Sequence, residues 1–324
     1  MPLPANFIYH VLPMQKGRPW LNWSLPRAAR KDGIDAMFFP ANDCWLLPFK
    51  PTLVALLDIA PATFLRKYLS PADKLQNDLQ LAMMPFAARH VVTISNYSKK
   101  EILNKIPGLA QKISVVYCGV NKIFRPFDNR ENKSEPYILF VSGFDRRKNL
   151  EGLLKAVKIL EDRGRKVKLQ LVGMTEPNQS IYYDAYSLVR QYQLERITAI
   201  EAVRDNDERM AYLYNSASML VMPSFIEGFG LPVLEAMACG CPVACSNAAS
   251  LPEVGGGAAL YFDPNDPAQM ATVMERILIE PGLRQKMIAK GYENVKRFGW
   301  DKMARELLKI LKSVGQGRQE KAGR

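Results

Sequence analysis

The sequence predicts an α/β protein built from two doubly wound parallel sheets that face each other across a cleft. Two observations carry that prediction. Short apolar runs alternate with amphipathic helical stretches along nearly the whole chain, the pattern of strand–helix–strand units with right-handed crossovers. A polar, proline-bearing stretch near the middle, NKIFRPFDNRENKSEP at residues 121–136, divides the alternation into two series and has linker composition. A length of 324 residues, 48% of them hydrophobic, leaves room for two cores of ordinary size.

The second series is the clearer one. EPYILFVSG is an apolar run before a glycine, as expected of a strand buried on both faces. KNLEGLLKAVKILEDRG follows, with Leu150, Leu153, Leu154, Val157 and Leu160 at helical spacing and Gly164 placed to end the helix. KVKLQLVG reads as a strand, IYYDAYSLVRQYQL as a helix and RITAIEAV as a weaker strand. DERMAYLYNSA is a helix for which Asp207 is the expected cap. SMLVMPS, LPVLEAMACG and CPVACS continue as strand, helix and strand, and residues 282–314 read as two closing helices. The first series holds four strand candidates, IDAMFFP, TLVALLD, HVVTIS and KISVVYCGV. PADKLQNDLQLAMMPFAAR and YSKKEILNKI are the helices between the last three. The expected units are residues 1–128, residues 129–314 with the closing helices, and a disordered tail at 315–324.

Composition narrows the function classes. No apolar run reaches the roughly 18 residues of a membrane span, and MPLPANFIYHVLPMQKG lacks a secretory leader pattern. Five cysteines, an odd and sparse set, favour reduced thiols and a cytoplasmic location. A formal net charge of +12 favours anionic partners: nucleotide phosphates, nucleic acid or an anionic membrane. Nucleic acid drops out, because no strand interleaves aromatic and basic residues.

In open α/β sheets ligands bind beyond the carboxyl ends of strands, so the loops there should carry the chemistry. The first is SFIEGFGLPVLEAMACGCPVACSN, residues 224–247. Gly228 and Gly230 allow close approach to the backbone, and Pro232 suits a first helical turn. Helix amides exposed there attract phosphate by about 0.3–1 kcal/mol from the dipole. Glu235, expected in the first turn, is placed to accept hydrogen bonds from the paired hydroxyls of a ribose, and Glu227 to meet the group beyond the phosphates. The plain alternative is a solvated loop carboxylate and a helix-capping one. The second loop is SGFDRRKN, where Arg147 and Lys148 suit a diphosphate whose charge grows as it leaves. The third is LVALLDIAPATF, ending a strand at Leu57 and Asp58. CGCPVACS puts Cys239, Cys241 and Cys245 close together without a nearby histidine, which favours buried small residues over a metal site. DND at 205–207 imitates a metal motif but stands before a helix, so no metal dependence is expected.

The string EGFGLPVLEAMACGCPVACSN resembles the Glu-x7-Glu region of retaining glycosyltransferases of the GT-B fold, family 4. VSGFDRRKNLEGLLKA, SLPEVGGGAALYFDPNDP and FGWDKMARELL extend the resemblance over nearly all of residues 20–310. It implies a GT-B arrangement of two Rossmann-like domains with a nucleotide-sugar between them. Glu235 would hold the donor ribose, and Glu227 with the Phe229–Gly230 backbone the transferred sugar. Ser142, Gly143, Arg147, Lys148, Gly228 and Leu231 would line the donor, while Asp58 would orient a sugar or acceptor hydroxyl. Ser95 and Asn96 match a further family loop, with a helix cap as their plain alternative.

Three departures stand out. Gly143 replaces an arginine common in relatives, Leu57 replaces a histidine, and His10 and His90 are the only histidines, His90 reading as structural. Relatives also carry further strands and a glycine turn before a segment like the one at residue 20, so the N-terminal domain reads as incomplete. The implied activity is metal-independent hexosyl transfer, with mannose or rhamnose favoured and GDP-mannose as the favoured donor. The implied acceptor is a saccharide or polyprenyl-linked saccharide in cell-surface polysaccharide synthesis, with peripheral contact at an anionic inner membrane face. A nucleotide-sugar-binding protein without transfer is the alternative.

Overall fold

The computed structural model describes residues 8, 10–12, 20–45, 49–127, 137–174 and 180–316. Most of the segment read for a leader, residues 128–136 of the linker reading and residues 317–324 of the tail reading lie outside them.

Helix α1 (Leu25–Lys31) leads into β1 (Met37–Phe39) and β2 (Thr52–Ala55). Helix α2 (Pro71–Ala87), β3 (His90–Thr93), α3 (Asn96–Lys105) and β4 (Ile113–Val115) follow. All four strands are parallel, in the order β1-β2-β3-β4. The second sheet begins with β5 (Tyr137–Val141), α4 (Leu150–Asp162), β6 (Lys168–Val172), α5 (Ala185–Gln191) and β7 (Thr198–Glu201). It continues through α6 (Asp207–Ser216), β8 (Met219–Met222), α7 (Leu231–Ala238), β9 (Val243–Ser246), α8 (Leu251–Gly255) and β10 (Leu260–Phe262). Helices α9 (Pro267–Ile279), α10 (Pro281–Val295) and α11 (Trp300–Gln316) complete the described chain.

The six-stranded sheet is parallel with order β10-β9-β8-β5-β6-β7. The order reverses between β5 and β8, and a doubly wound sheet opens its ligand crevice at that switch point. Alternate residues of β5, β8 and β9 feed different cores, which is why these strands read as unbroken apolar runs, whereas the edge strand β7 has no fully buried residue. Ile138 and Phe140 of β5 join Val221 of β8 on the face covered by α4 and α9. Leu139 of β5, with Leu220 and Met222 of β8, lies on the face covered by α6 and α7. In the first sheet Val54 and Val91 pack toward α2 and α3, while Leu53, Ala55 and Val92 take the last helix, α11, through Val314, Leu307, Ile310 and Leu311.

Several boundaries differ from the sequence reading. The helix expected over IYYDAYSLVRQYQL begins only at Ala185, because Asp184 accepts from the Tyr186 and Ser187 amides and sets the start there. The cap of α6 is Asn206, whose side chain accepts from Arg209 N; Asp207 is already helical and accepts instead from Asn121 Nδ2 at 3.0 Å. Strand β10 and helix α9 went unread, although Asp266–Pro267 followed by Met270, Val273, Met274 and Ile277 carries a cap and a helical period.

Asn149 joins the sheet to its crevice. It caps α4 in the left-handed conformation (φ 57°), its Oδ1 accepting from Gly152 N, while its Nδ2 donates to the carbonyls of Pro223 and Pro264 at 3.1 and 2.8 Å. The loops after β5, β8 and β10 are thereby held by one buried amide. Asn149→Ala should cost about 2–4 kcal/mol in urea unfolding, from the lost cap and two unpaired carbonyls. Asn149→Gly keeps the backbone conformation and should cost nearly as much; a loss under about 0.5 kcal/mol in both would refute the role.

Candidate functional site

Two loops meet at the switch point. The loop after β5 makes a short 3-10 turn, Arg146–Lys148, capped by Asp145, which accepts from Arg147 N at 3.2 Å. The loop after β8 brings Glu227 opposite. Lys148 Nζ lies 2.5 Å from Glu227 Oε1, and both residues are buried. Arg147 Nη1 stands 3.8 Å from Glu227 Oε2, and its Nε lies 3.0 Å from Asp145 Oδ1 without forming a hydrogen bond. Burial pushes the Asp145 carboxyl above its ordinary value, against the pull of the Arg147 and Lys148 cations. The Arg147 guanidinium keeps part of its surface exposed. Ser142, Gly143, Arg147 and Lys148, expected together, do line one cavity of about 550 Å³, with Asp145 and Tyr182 beside them.

The turn from Glu227 to Gly230 opens α7. Gly230 is its cap residue at φ +105°, where a Cβ would stand 2.9 Å from Leu251 Cδ2, so glycine alone suits the turn. Gly228 is small for a different reason. A Cβ there would lie 3.3 Å from the Leu57 carbonyl oxygen and 3.4 Å from Asp58 Oδ2, so this is where the turn meets the end of β2. Asp58 is therefore brought to the turn, with its Oδ1 accepting from Ala60 N at 3.0 Å. The Phe229 side chain is buried against Tyr117 and Phe298, leaving only its backbone for the crevice.

Glu235 departs from the expectation. With α7 starting at Leu231, Pro232 falls in the first turn as expected, but Glu235 is the fifth helical residue and lies at the start of the second turn. It is not among the residues lining the 550 Å³ cavity. Its Oε2 accepts from Tyr214 on α6 at 2.7 Å. Burial raises its carboxyl to about 6, against the downward pull of the Tyr214 hydrogen bond and with a further rise from the Asp207 charge. Tyr214 is fully buried and stays a neutral donor.

Sequence reasoning missed Asp145, Tyr214, Ser250 and Glu253. Asp145 sits inside the quoted SGFDRRKN, and Glu253 inside SLPEVGGG, so the signal was present without its partners. Ser95 caps α3 by accepting from Ser98 N, and it also donates to the Gly228 carbonyl. Cys239, Cys241 and Cys245 are buried in the core behind α7, and His90 Nε2 lies 2.9 Å from Ser114 Oγ. Among the described residues no group of three metal-ligating side chains gathers, and no helix is long and apolar enough to cross a membrane.

A glycine turn, two cations and a pair of parallel sheets facing one crevice define the GT-B class of α/β protein. The chain belongs to the glycosyl transferases group 1 family, whose pattern matches residues 121–294, more than half its length. O-antigen chain mannosyltransferase B of Escherichia coli is 32% identical over 237 residues, covering 70% of this chain and 61% of that protein. MMP alpha-(1->4)-mannosyltransferase of Mycolicibacterium hassiacum is 31% identical over 230 residues, 69% of this chain and 54% of the relative. Both alignments take in less than two thirds of the relative's own length. Sucrose-phosphate synthase of Thermosynechococcus elongatus shares the fold, with a TM-score of 0.71 at 23% identity over 93% of this chain and 77% of its own.

The Glu235 environment makes stability depend on pH. Between the ordinary carboxylate value of 4.5 and about 6 the folded protein holds a proton that the unfolded chain has released. Stability from this group is therefore highest at low pH and falls as pH rises through that window. Relative to Glu235→Gln, the wild type should lose on the order of 1–2 kcal/mol between pH 4.5 and about 6.5 in urea titrations. A difference that stays flat would contradict the burial argument.

Proposed function

We propose that this chain transfers a hexosyl group, mannose, from GDP-mannose to a saccharide or lipid-linked saccharide with retention at the anomeric carbon. The observation that carries the reading is the convergence of Arg147, Lys148 and the Gly228–Gly230 turn at the switch point of the second sheet. The two mannosyltransferase relatives named above support the sugar. A product class of cell-surface polysaccharide rests on the O-antigen relative, and the basic surface suits an acceptor held at an anionic membrane face.

On this reading the donor diphosphate lies over the start of α7, its charge met by Arg147, Lys148 and the turn amides. Glu235 accepts from the ribose hydroxyls. Glu227 and Asp58 accept from hydroxyls of the transferred sugar. The bond from the anomeric carbon to the β-phosphate oxygen breaks as the acceptor oxygen attacks from the same face, and the departing phosphate takes the acceptor proton. The protein contributes electrostatics and positioning, with no side-chain nucleophile and no bound metal. Residues 1–128 and 129–314 then act as acceptor-side and donor-side units. Binding without transfer is the second reading, favoured by Leu57, which leaves no imidazole beside Asp58 at the end of β2.

A thermal-shift panel of GDP-, UDP- and dTDP-sugars tests donor recognition, since a ligand at a hundred times its Kd adds about 2.7 kcal/mol. The expected outcome is stabilisation by GDP-mannose, and mannose transfer to a membrane extract that falls more than about 100-fold in Arg147→Ala and Glu227→Ala. No shift with any nucleotide-sugar would sink the reading. Binding without transfer would select the second one.

A further inference from the structure

Three successive carbonyls of the 227–229 turn are each held by a buried serine. Ser95 Oγ and Ser98 Oγ donate to the Gly228 carbonyl at 2.7 and 3.1 Å. Ser250 Oγ lies 2.9 Å from the Glu227 carbonyl and 2.8 Å from that of Phe229, with one hydrogen to share between them. In a trans peptide the C=O and the following N–H point in opposite directions, and no cis peptide occurs among the described residues. The hydroxyls of Ser95 and Ser98 therefore turn the Phe229 amide away from α3. Ser250 likewise turns the Gly228 and Gly230 amides away from itself. None of these three amides meets an acceptor among the described residues.

The serines come from both sheets. Ser95 caps α3 and Ser98 lies in its first turn, on the four-stranded side, whereas Ser250 immediately precedes α8 on the six-stranded side. Glu253 of α8 ties the two together. Its carboxylate accepts from the amides of Asn96 and Tyr97 at 2.8 and 3.2 Å, from Asn96 Nδ2 at 2.7 Å and from the Tyr117 hydroxyl at 2.6 Å. A carboxylate delivered from α8 thus occupies the amides at the start of α3, where the helix dipole favours negative charge. The start of α3, α8 and the turn form a single hydrogen-bonded knot.

We propose that Ser95, Ser98 and Ser250 are positioning residues. By holding the three carbonyls they fix the directions of the Gly228 and Gly230 amides on one side of the turn and of the Phe229 amide on the other, against which the β-phosphate and transferred sugar of the donor are set, and Glu253 makes those directions depend on how α3 is seated. Mere packing would need the hydroxyls only as small buried groups; the alternation of carbonyl directions is what leaves three amides free. The proposal rests on the nucleotide-sugar reading above and deepens it, because it couples donor recognition to the joint between the two sheets.

Calorimetric titration of GDP-mannose and of GMP tests it, since GMP lacks both the second phosphate and the sugar. UDP- or dTDP-sugars with their monophosphates replace them if the wild type binds those instead. In the double variant Ser95→Ala/Ser98→Ala the nucleotide-sugar should bind about tenfold more weakly, with the monophosphate Kd unchanged within about twofold. Glu253→Gln should move the same ratio in the same direction by about threefold. Single Ser98→Ala keeps one donor on the Gly228 carbonyl and should shift the ratio less; it supplies the reading if the double variant does not fold. Equal losses for both ligands, or none for either, would overturn the positioning role while leaving donor binding intact. A wild type that binds no nucleotide-sugar would overturn both.

Discussion

The buried ion pair of Lys148 and Glu227 is the constraint on which the crevice depends. Burying either charge without its partner would cost several kcal/mol, so the loops after β5 and β8 must come together for either to be buried. Adjacent parallel strands cannot be joined by a short turn, and their loops are distant in sequence. The pair supplies the link, and the Phe225 amide adds to it by donating to the Arg147 carbonyl at 2.8 Å. Asp145 and Arg147 bring the local count to two carboxylates and two cations. On the proposed reading, a donor diphosphate would compete there with Glu227 for Lys148. Arg147, whose Nε lacks a hydrogen bond, and the free amides of the turn are less committed and would take the first share of that charge.

Around that pair the structure concentrates its polar groups where the two sheets meet. The Gly228 carbonyl, the start of α3 and the Glu253 carboxylate satisfy one another across the joint. The cores on the two faces of the second sheet are largely apolar, fed mainly by α4 and α9 on one face and by α6 and α7 on the other. The last helix, α11, returns to cover one face of the first sheet through Leu307, Ile310, Leu311 and Val314. Aromatic contacts add a second bridge at the crevice mouth. Phe64 stacks on Phe225 at 5.8 Å, and Arg146 lies over the rings of Tyr68 and Tyr183.

Much of this was legible because strands and helices advertise themselves locally. Every strand expected from EPYILFVSG to CPVACS lies within the stretch that suggested it, and for β5, β8 and β9 the reason is burial on both faces, which leaves an unbroken apolar run. The glycine turn before α7 was legible for the same reason: Gly230 and Pro232 are local necessities. What could not be read were relations set by distance in sequence. Asp145 looked like one more loop acid until its neighbours came into view. Glu253 gave no sign that it would cap a helix 157 residues away. Errors of one residue also matter. Asn206 and Asp207 are both good caps, and only backbone conformation separates them. Glu235 lies one residue past the first turn where it was expected, against Tyr214, and burial there raises its carboxyl.

The central claim is that Lys148 and Glu227 act as one unit. A double-mutant cycle on unfolding free energy, with Lys148→Met, Glu227→Gln and the two combined, measures that directly. Lys148→Met should lose about 3–5 kcal/mol because it strands a buried carboxylate, and adding Glu227→Gln should restore at least about 2 kcal/mol of it. Losses that simply add would contradict the account.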